Sequence, residues 1–151
     1  MKTATNVGPS GFSVVEIMVA LAIIAILMGI ALPGYRHFVL RSHRIEALRT
    51  LLEIQSAQER YFVQHNRYAT SLAAPPPDGL GIPALTSNGY YTLELDADVA
   101  DGAGHFLARA LAHAASRQTE DLACISFSVN ELGDRHARDS AGADRSVDCW
   151  R

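Results

Sequence analysis

The sequence lacks the common constellations of catalytic and cofactor-binding residues. It contains no Gly-x-Ser-x-Gly nucleophile elbow, no phosphate-binding loop and no dinucleotide fingerprint. None of its six histidines forms a His-x-x-x-His or His-Glu-x-x-His pair. His37 and His43 are six positions apart, so they would not share a face of a helix. These absences argue against an enzyme and against a bound cofactor.

Charge and cysteine are also scarce. Thirteen lysines and arginines stand against 16 aspartates and glutamates, which gives a net charge of −3. Basic side chains do not cluster with aromatic ones, so we predict no direct nucleic-acid partner. The two cysteines, Cys124 and Cys149, are widely spaced and no Cys-x-x-Cys occurs. In an exported domain this favours a disulfide over a metal site, and two free thiols are the weaker alternative.

One acidic segment superficially resembles a calcium-binding loop. It reads Asp96-Ala97-Asp98-Val99-Ala100-Asp101-Gly102. The EF-hand spacing needs an oxygen ligand where Ala100 stands and a glutamate further on, and both are absent. We therefore predict a polar hairpin loop here and no metal site.

One long apolar block stands near the N-terminus. From Phe12 to Leu32 there are 21 residues, and Glu16 is the only charged one. A helix of this length spans about 31 Å, close to the roughly 30 Å hydrocarbon core of a bilayer. The block is too long for the apolar region of a secretory signal peptide. A plain anchor fits the length but not Glu16, because a carboxylate inside a membrane helix costs about 2.5–3.5 kcal/mol on insertion scales.

The charge of Glu16 calls for an amine partner. Cleavage between Gly11 and Phe12 would place a new α-amino group one helical turn from Glu16. The amine could come from the same chain or from a neighbouring subunit. An intermolecular pair would fix the axial register of two helices in apolar surroundings.

The stretch Gly11-Phe12-Ser13-Val14-Val15-Glu16-Ile17 resembles the prepilin cleavage motif of type IV pilins and type II secretion pseudopilins. The resemblance implies cleavage after Gly11 by a membrane peptidase, N-methylation of Phe12 and alignment of incoming subunits by Glu16. The leader departs from the usual pattern because Lys2 is its single basic residue. Three positive charges follow the apolar block: Arg36, Arg41 and Arg44. A simple count of flanking positive charges would therefore predict the reverse orientation of the helix in the membrane.

Beyond the apolar block, helical periodicity resumes at once. Pro33 and Gly34 predict a kink rather than a helix end, with continuation to about His65. Apolar residues recur there at helical spacing and predict a buried stripe centred on Ile45, Leu48, Leu52 and Tyr61 or Phe62, with Leu51 and Ile54 widening it. Core packing explains this stripe better than a cofactor site does.

A turn-rich loop over 64–88 follows, and then alternating segments that predict strands. The strands are expected over 90–95, 105–113 and 124–132, with a polar tail over 135–151. The order predicts an α+β domain, in which a short antiparallel sheet covers the amphipathic half of the helix. This is the order of the type IV pilin fold. Finer similarities to PilE-type minor pilins of the type IVa system are Glu59-Arg60-Tyr61-Phe62, Asn66-Arg67-Tyr68, Asn88-Gly89-Tyr90-Tyr91-Thr92-Leu93 and Cys149-Trp150.

The resemblance implies a leader (1–11), a transmembrane and filament-core helix (12–34) and a periplasmic headpiece (35–151) with a disulfide-bounded C-terminal loop. The expected protein is a minor subunit of a type IV pilus for motility, adhesion or DNA uptake. It would insert in the inner membrane and then reach the cell surface in the filament. Its partners would be other pilins, the prepilin peptidase and N-methyltransferase, an assembly platform and a separate motor ATPase. The alternatives are a minor pseudopilin and, less favoured, a membrane-anchored periplasmic enzyme.

Overall fold

A computed structural model describes residues 11–98 and 104–151. Helix α1 runs from Val14 to His65, 52 residues. Its first turn is closed by the amide of Ile17, which donates to the Ser13 carbonyl over 3.2 Å. It ends where Asn66 takes φ 53°, a left-handed conformation that asparagine tolerates after a helix. The helix passes through Pro33, which confirms the predicted continuation.

The sheet is a four-stranded antiparallel meander in the order β1-β2-β3-β4. Its strands are β1 (Tyr91–Asp98), β2 (His105–Ala112), β3 (Ser126–Asn130) and β4 (Arg135–Arg138). One long helix followed by an antiparallel sheet confirms the predicted α+β fold. Strand β1 runs further than predicted, and β3 is shorter at both ends.

Strand β4 falls in the segment that the sequence predicts as a polar tail, so that prediction is wrong. Only Ala137 of β4 is buried. An edge strand that places one small side chain in the core lacks the hydrophobic alternation by which strands are recognised. Two short elements were also not predicted: a 3₁₀ turn at Arg117–Glu120 and helix α2 at Ser146–Cys149.

The buried face of α1 differs from the predicted stripe. Ile45 is 64% exposed and Leu52 is 38% exposed, whereas Leu51 and Ile54 are fully buried. The face that packs is centred on positions with mixed chemistry: Ala47, Leu51, Ile54, Gln58 and Tyr61. Alanine and glutamine give a weaker hydrophobic signal than the neighbouring isoleucine and leucine residues. Periodicity alone therefore predicts the wrong centre for the buried face of α1.

Gln58 explains why a polar residue lies at the centre of that face. Its Nε2 donates to the Ala69 carbonyl over 2.9 Å, and its Oε1 accepts from the Ala69 amide over 2.8 Å. The side chain therefore supplies both missing partners of a buried loop backbone. This pair ties the start of the 66–90 loop to α1.

The rest of the core comes from alternate residues of the sheet and from the loop. The inward side chains of the strands are Tyr91, Leu93, Phe106, Ala108, Ala110, Phe127, Val129 and Ala137. Tyr68 and Leu72 of the loop join the same cluster. The chain divides into two compact units, one ending at Arg36 and one running from His37 to Arg151. This cluster lies entirely within the second unit, called the head below.

Candidate functional site

The segment predicted to be processed lies at the exposed start of α1. Gly11 to Ser13 precede the helix, and Glu16 stands in its first turn. The Phe12 side chain is 79% exposed. A Cβ added at Gly11 would meet no atom within 4 Å. Nothing in the described structure therefore requires glycine at this position for packing, and any requirement comes from a molecule that acts on the chain.

The apolar part of α1 is exposed on every side. Its large side chains from Val14 to Ile30 are 48–75% exposed. By length and composition, α1 is the one helix among the described residues that could cross a membrane. A helix that is apolar all round needs a surrounding of lipid or of other helices.

Glu16 is the one charge in this apolar stretch. It is exposed, and within the described ranges no hydrogen bond or ion pair reaches it. In the uncleaved chain the Phe12 nitrogen is part of a peptide bond, so it carries no charge that could pair with the carboxylate. The roles of Gly11, Phe12 and Glu16, and the kink at Pro33, stay predictions.

The predicted disulfide is present between Cys124 and Cys149, which are both 1% exposed, with a Cα–Cα distance of 5.9 Å. It attaches α2 beside β3. The following residue, Trp150, donates from its indole Nε1 to the His136 carbonyl over 2.9 Å. The Arg135 guanidinium lies 5.4 Å from the Trp150 ring centroid, within cation–π range. Together these interactions hold a polar C-terminal segment against the sheet edge.

A partly buried ion pair also joins α1 to Asp121, the residue that follows the 3₁₀ turn. Arg44 donates from Nε and Nη2 to the two carboxylate oxygens of Asp121, over 2.7 and 2.8 Å. Gln118 donates from Nε2 to Asp121 Oδ2 over 3.0 Å and to the Leu40 carbonyl over 3.2 Å. Sequence reasoning missed this network because its partners lie 77 positions apart, and no local pattern relates them.

The outer face of the sheet carries basic side chains. Cross-strand registry places Arg109 beside Ser128 and Ser128 beside His136, and Ser126 beside Arg138. These side chains line a shallow cavity of 390 Å³, the outer sheet groove: Leu107, Arg109, Leu111, Ser126, Ser128, His136 and Arg138. In the described part of the chain, none of the three basic residues forms an ion pair.

Two carboxylates border this groove. Glu94 is the cross-strand neighbour of Arg109. Hydrogen bonds from Ser146 hold the pKa of Asp144 below its ordinary value, with smaller contributions from His136 and Arg138. The basic side chains of the groove are thus partly balanced at its rim.

The acidic segment considered for calcium falls partly in β1, which runs to Asp98. Asp96 and Asp98 are therefore strand residues, so the predicted loop is wrong for this part; the rest of the segment, residues 99–103, lies outside the described ranges. Within those ranges, no group of three or more histidine, cysteine, aspartate or glutamate residues could hold a metal ion.

Comparison with known proteins agrees with this architecture. Residues 33–128 match the family described as type IV minor pilin ComP, DNA uptake sequence receptor. Residues 9–32 match the prokaryotic N-terminal methylation motif. The chain belongs to this type IV pilin family. The two matches together extend from residue 9 to residue 128 and confirm the family that Gly11–Glu16 indicates.

Several curated pilins and fimbrial proteins are similar to this one. PilE1, a type IV major pilin of Neisseria gonorrhoeae, is 31% identical over 78 residues, covering 48% of this pilin and 47% of that protein. Fimbrial protein EcpC of Eikenella corrodens is 37% identical over 81 residues, covering 54% and 49%. The pilin spans about half the length of these curated relatives.

A solved type IV pilin from Shewanella oneidensis has a TM-score of 0.41 and 21% identity. The match covers 64% of this chain and 89% of the Shewanella chain.

Proposed function

We propose that this pilin is a minor subunit of a type IV pilus. In the proposed pathway, residues 12–34 insert in the inner membrane and residues 1–11 are removed by a prepilin peptidase. Phe12 is then methylated, and the headpiece over 35–151 faces the periplasm and later the cell surface. The chain has no nucleotide-binding motif, so a separate ATPase drives assembly from a platform in the membrane.

The observation that carries this proposal is the apolar helix that is exposed on all sides and holds one carboxylate. In lipid its side chains contact acyl chains, and in a filament they contact the same helix of other subunits. Exchange of one apolar surrounding for the other changes the burial of these side chains little, so extraction from the bilayer is feasible. An amine on a neighbouring subunit would neutralise Glu16 only when the register is correct.

The description of the matching family supports a minor rather than a major subunit. The disulfide from Cys124 to Cys149 favours a pilus subunit over the alternative, a minor pseudopilin, because many pseudopilins lack that bridge. Pilins are structural subunits, so the family does not support the membrane-anchored enzyme.

Processing is tested by changing Gly11 to leucine. We expect the precursor to stay uncut in cells that carry a prepilin peptidase. No atom of the chain packs against Gly11, so a need for a small residue there would come from the peptidase. Intact-mass spectrometry measures the result. The matched control is Gly34→Leu, because Gly34 also has open space around it, and this variant should lose residues 1–11 normally. Normal cleavage of Gly11→Leu would refute the cleavage site.

The register role is tested by changing Glu16 to alanine. The variant should be cleaved and inserted but poorly incorporated into sheared filaments, because the amine of the next subunit loses its partner. Glu53→Ala is the control, since Glu53 is an exposed carboxylate further along α1. Wild-type levels of the Glu16 variant in filaments would contradict the assignment.

We also propose that the filament serves DNA uptake and that the outer sheet groove contacts the DNA backbone. This replaces the sequence-based expectation of no direct nucleic-acid partner. It is supported by the family description and by three basic residues, without ion-pair partners in the described ranges, beside two serines. Such side chains commonly contact phosphates. These phosphate contacts would position the duplex, and they carry no base information by themselves.

The DNA contact is tested by measuring affinity for a duplex against salt concentration. Arg109→Gln with Arg138→Gln should weaken binding and reduce the slope of log affinity against log salt by about 1.8, roughly 0.9 for each lost phosphate contact. The control pair, Arg49→Gln with Arg60→Gln, removes equal charge from α1. If both pairs behave alike, the groove is not the DNA site.

A further inference from the structure

A second cationic pocket lies in the head, where α1 meets the C-terminal segment. Its volume is 440 Å³, and its wall includes both disulfide cysteines. Five basic side chains and one acidic one line it: His37, Arg41, Arg44, Arg145, Arg151 and Asp148. We call it the juxtamembrane pocket, because His37 follows the apolar stretch by five positions.

Two of its arginines already have partners. Arg44 is bound by Asp121 through both carboxylate oxygens. Arg145 lies 3.3 Å from Asp139 and 4.0 Å from Asp148. Arg41 and Arg151 form no ion pair within the described ranges, and both side chains are exposed. The pocket therefore presents two cations to a ligand.

The position of Arg41 along α1 indicates which kind of anion would lie near it. It follows Leu32, the last residue of the apolar stretch, by nine positions, or about 14 Å of helix. The headgroup layer takes up about 5–8 Å of that distance. Helix side chains generally point toward the N-terminus, and long arginine side chains extend toward a membrane interface, so a guanidinium this close to the apolar stretch in the sequence suits a headgroup phosphate.

We propose that the juxtamembrane pocket binds the phosphate of an anionic phospholipid headgroup in the periplasmic leaflet while the subunit waits in the membrane. This rests on the membrane insertion proposed above. It also explains why basic residues follow the periplasmic end of the membrane helix, where the positive-inside rule does not expect them. Anionic headgroups attract each basic residue near the membrane surface.

The test uses the full chain in lipid nanodiscs, with the fluorescence of the single tryptophan, Trp150, as the reporter of head unfolding. Discs of phosphatidylcholine alone are compared with discs that contain about one third phosphatidylglycerol. We expect the anionic lipid to raise the midpoint temperature by about 4 °C. Arg41→Gln with Arg151→Gln should lose most of that rise, and Arg49→Gln with Arg60→Gln, which removes equal charge from exposed positions of α1, should keep it.

Once the chain has entered the discs, three results would overturn the assignment. One is an equal midpoint in both kinds of disc. Another is an undiminished rise in the Arg41 and Arg151 variant. The third is the same rise on addition of inorganic phosphate to phosphatidylcholine discs, which would indicate a free-anion site. Failure of the chain to enter either disc would refute membrane insertion and the pocket with it, whereas entry without a lipid-dependent rise refutes the pocket alone.

Discussion

The two units of this pilin bury their apolar residues in opposite ways. From Val14 to Ile30 the large apolar side chains are 48–75% exposed, while the core residues of the head are at most 8% exposed. One continuous helix supplies both sets. The head buries a core of apolar side chains within the chain, whereas the N-terminal part can bury its apolar side chains only against lipid or other subunits. A substitution should therefore affect folding in one unit and insertion or assembly in the other.

Removal of the disulfide should have the largest effect on the stability of the head. In the chain-entropy model, a cross-link with a sequence separation of 25 is worth roughly 3–4 kcal/mol. Cys124→Ser with Cys149→Ser should lower the free energy of unfolding of the head by that amount, as measured by denaturant titration, and should leave cleavage after Gly11 intact. Wild-type protein under reducing conditions is the control. Equal stability with and without the bridge would contradict the account.

Leu51→Ala should be the next largest change, at about 3 kcal/mol. Leu51 is fully buried, so its truncation leaves a cavity in the head. The matched variant is Leu21→Ala, because Leu21 is 60% exposed in the apolar part of the same helix. Denaturant unfolding of the full chain in detergent should give the wild-type value for Leu21→Ala. A similar loss in both variants would mean that the two units do not fold independently.

Glu46 should contribute least and depend on pH. Burial alone would raise the pKa of Glu46, but hydrogen bonds from the Asn88 backbone and side chain, with help from Thr86 and His43, hold it below its ordinary value. The stability it adds is therefore present above the ordinary carboxyl pKa and is lost as pH falls through the lower folded-state value.

Glu46→Gln should cost about 1 kcal/mol near neutral pH, since the hydrogen bonds are solvent-exposed, and the difference from wild type should shrink in acid. Thermal unfolding against pH measures this. Glu53→Gln, which removes an exposed carboxylate from the same helix, is the control. A difference that stays constant down to strongly acidic pH would contradict the role of the charge.

These regions also differ in how much the sequence predicts. The strands β1 to β3 were predicted because alternation in a half-buried strand is a local property. Strand β4 was not, because Arg135-His136-Ala137-Arg138 pairs with β3 through backbone groups that any sequence supplies. The stripe on α1 was predicted on the wrong centre, because burial of Gln58 depends on the distant Ala69 backbone.

By itself, the sequence determined the segment Gly11 to Glu16, the apolar helix and the family. Each of these depends on a contiguous run of residues whose pattern can be recognised locally. The tertiary structure alone decided which face of α1 is buried. It also decided that Arg44 meets Asp121 and that Arg109, His136 and Arg138 share one groove. Those outcomes depend on which distant residues come together, and a buried polar group is stable only where its partner also arrives.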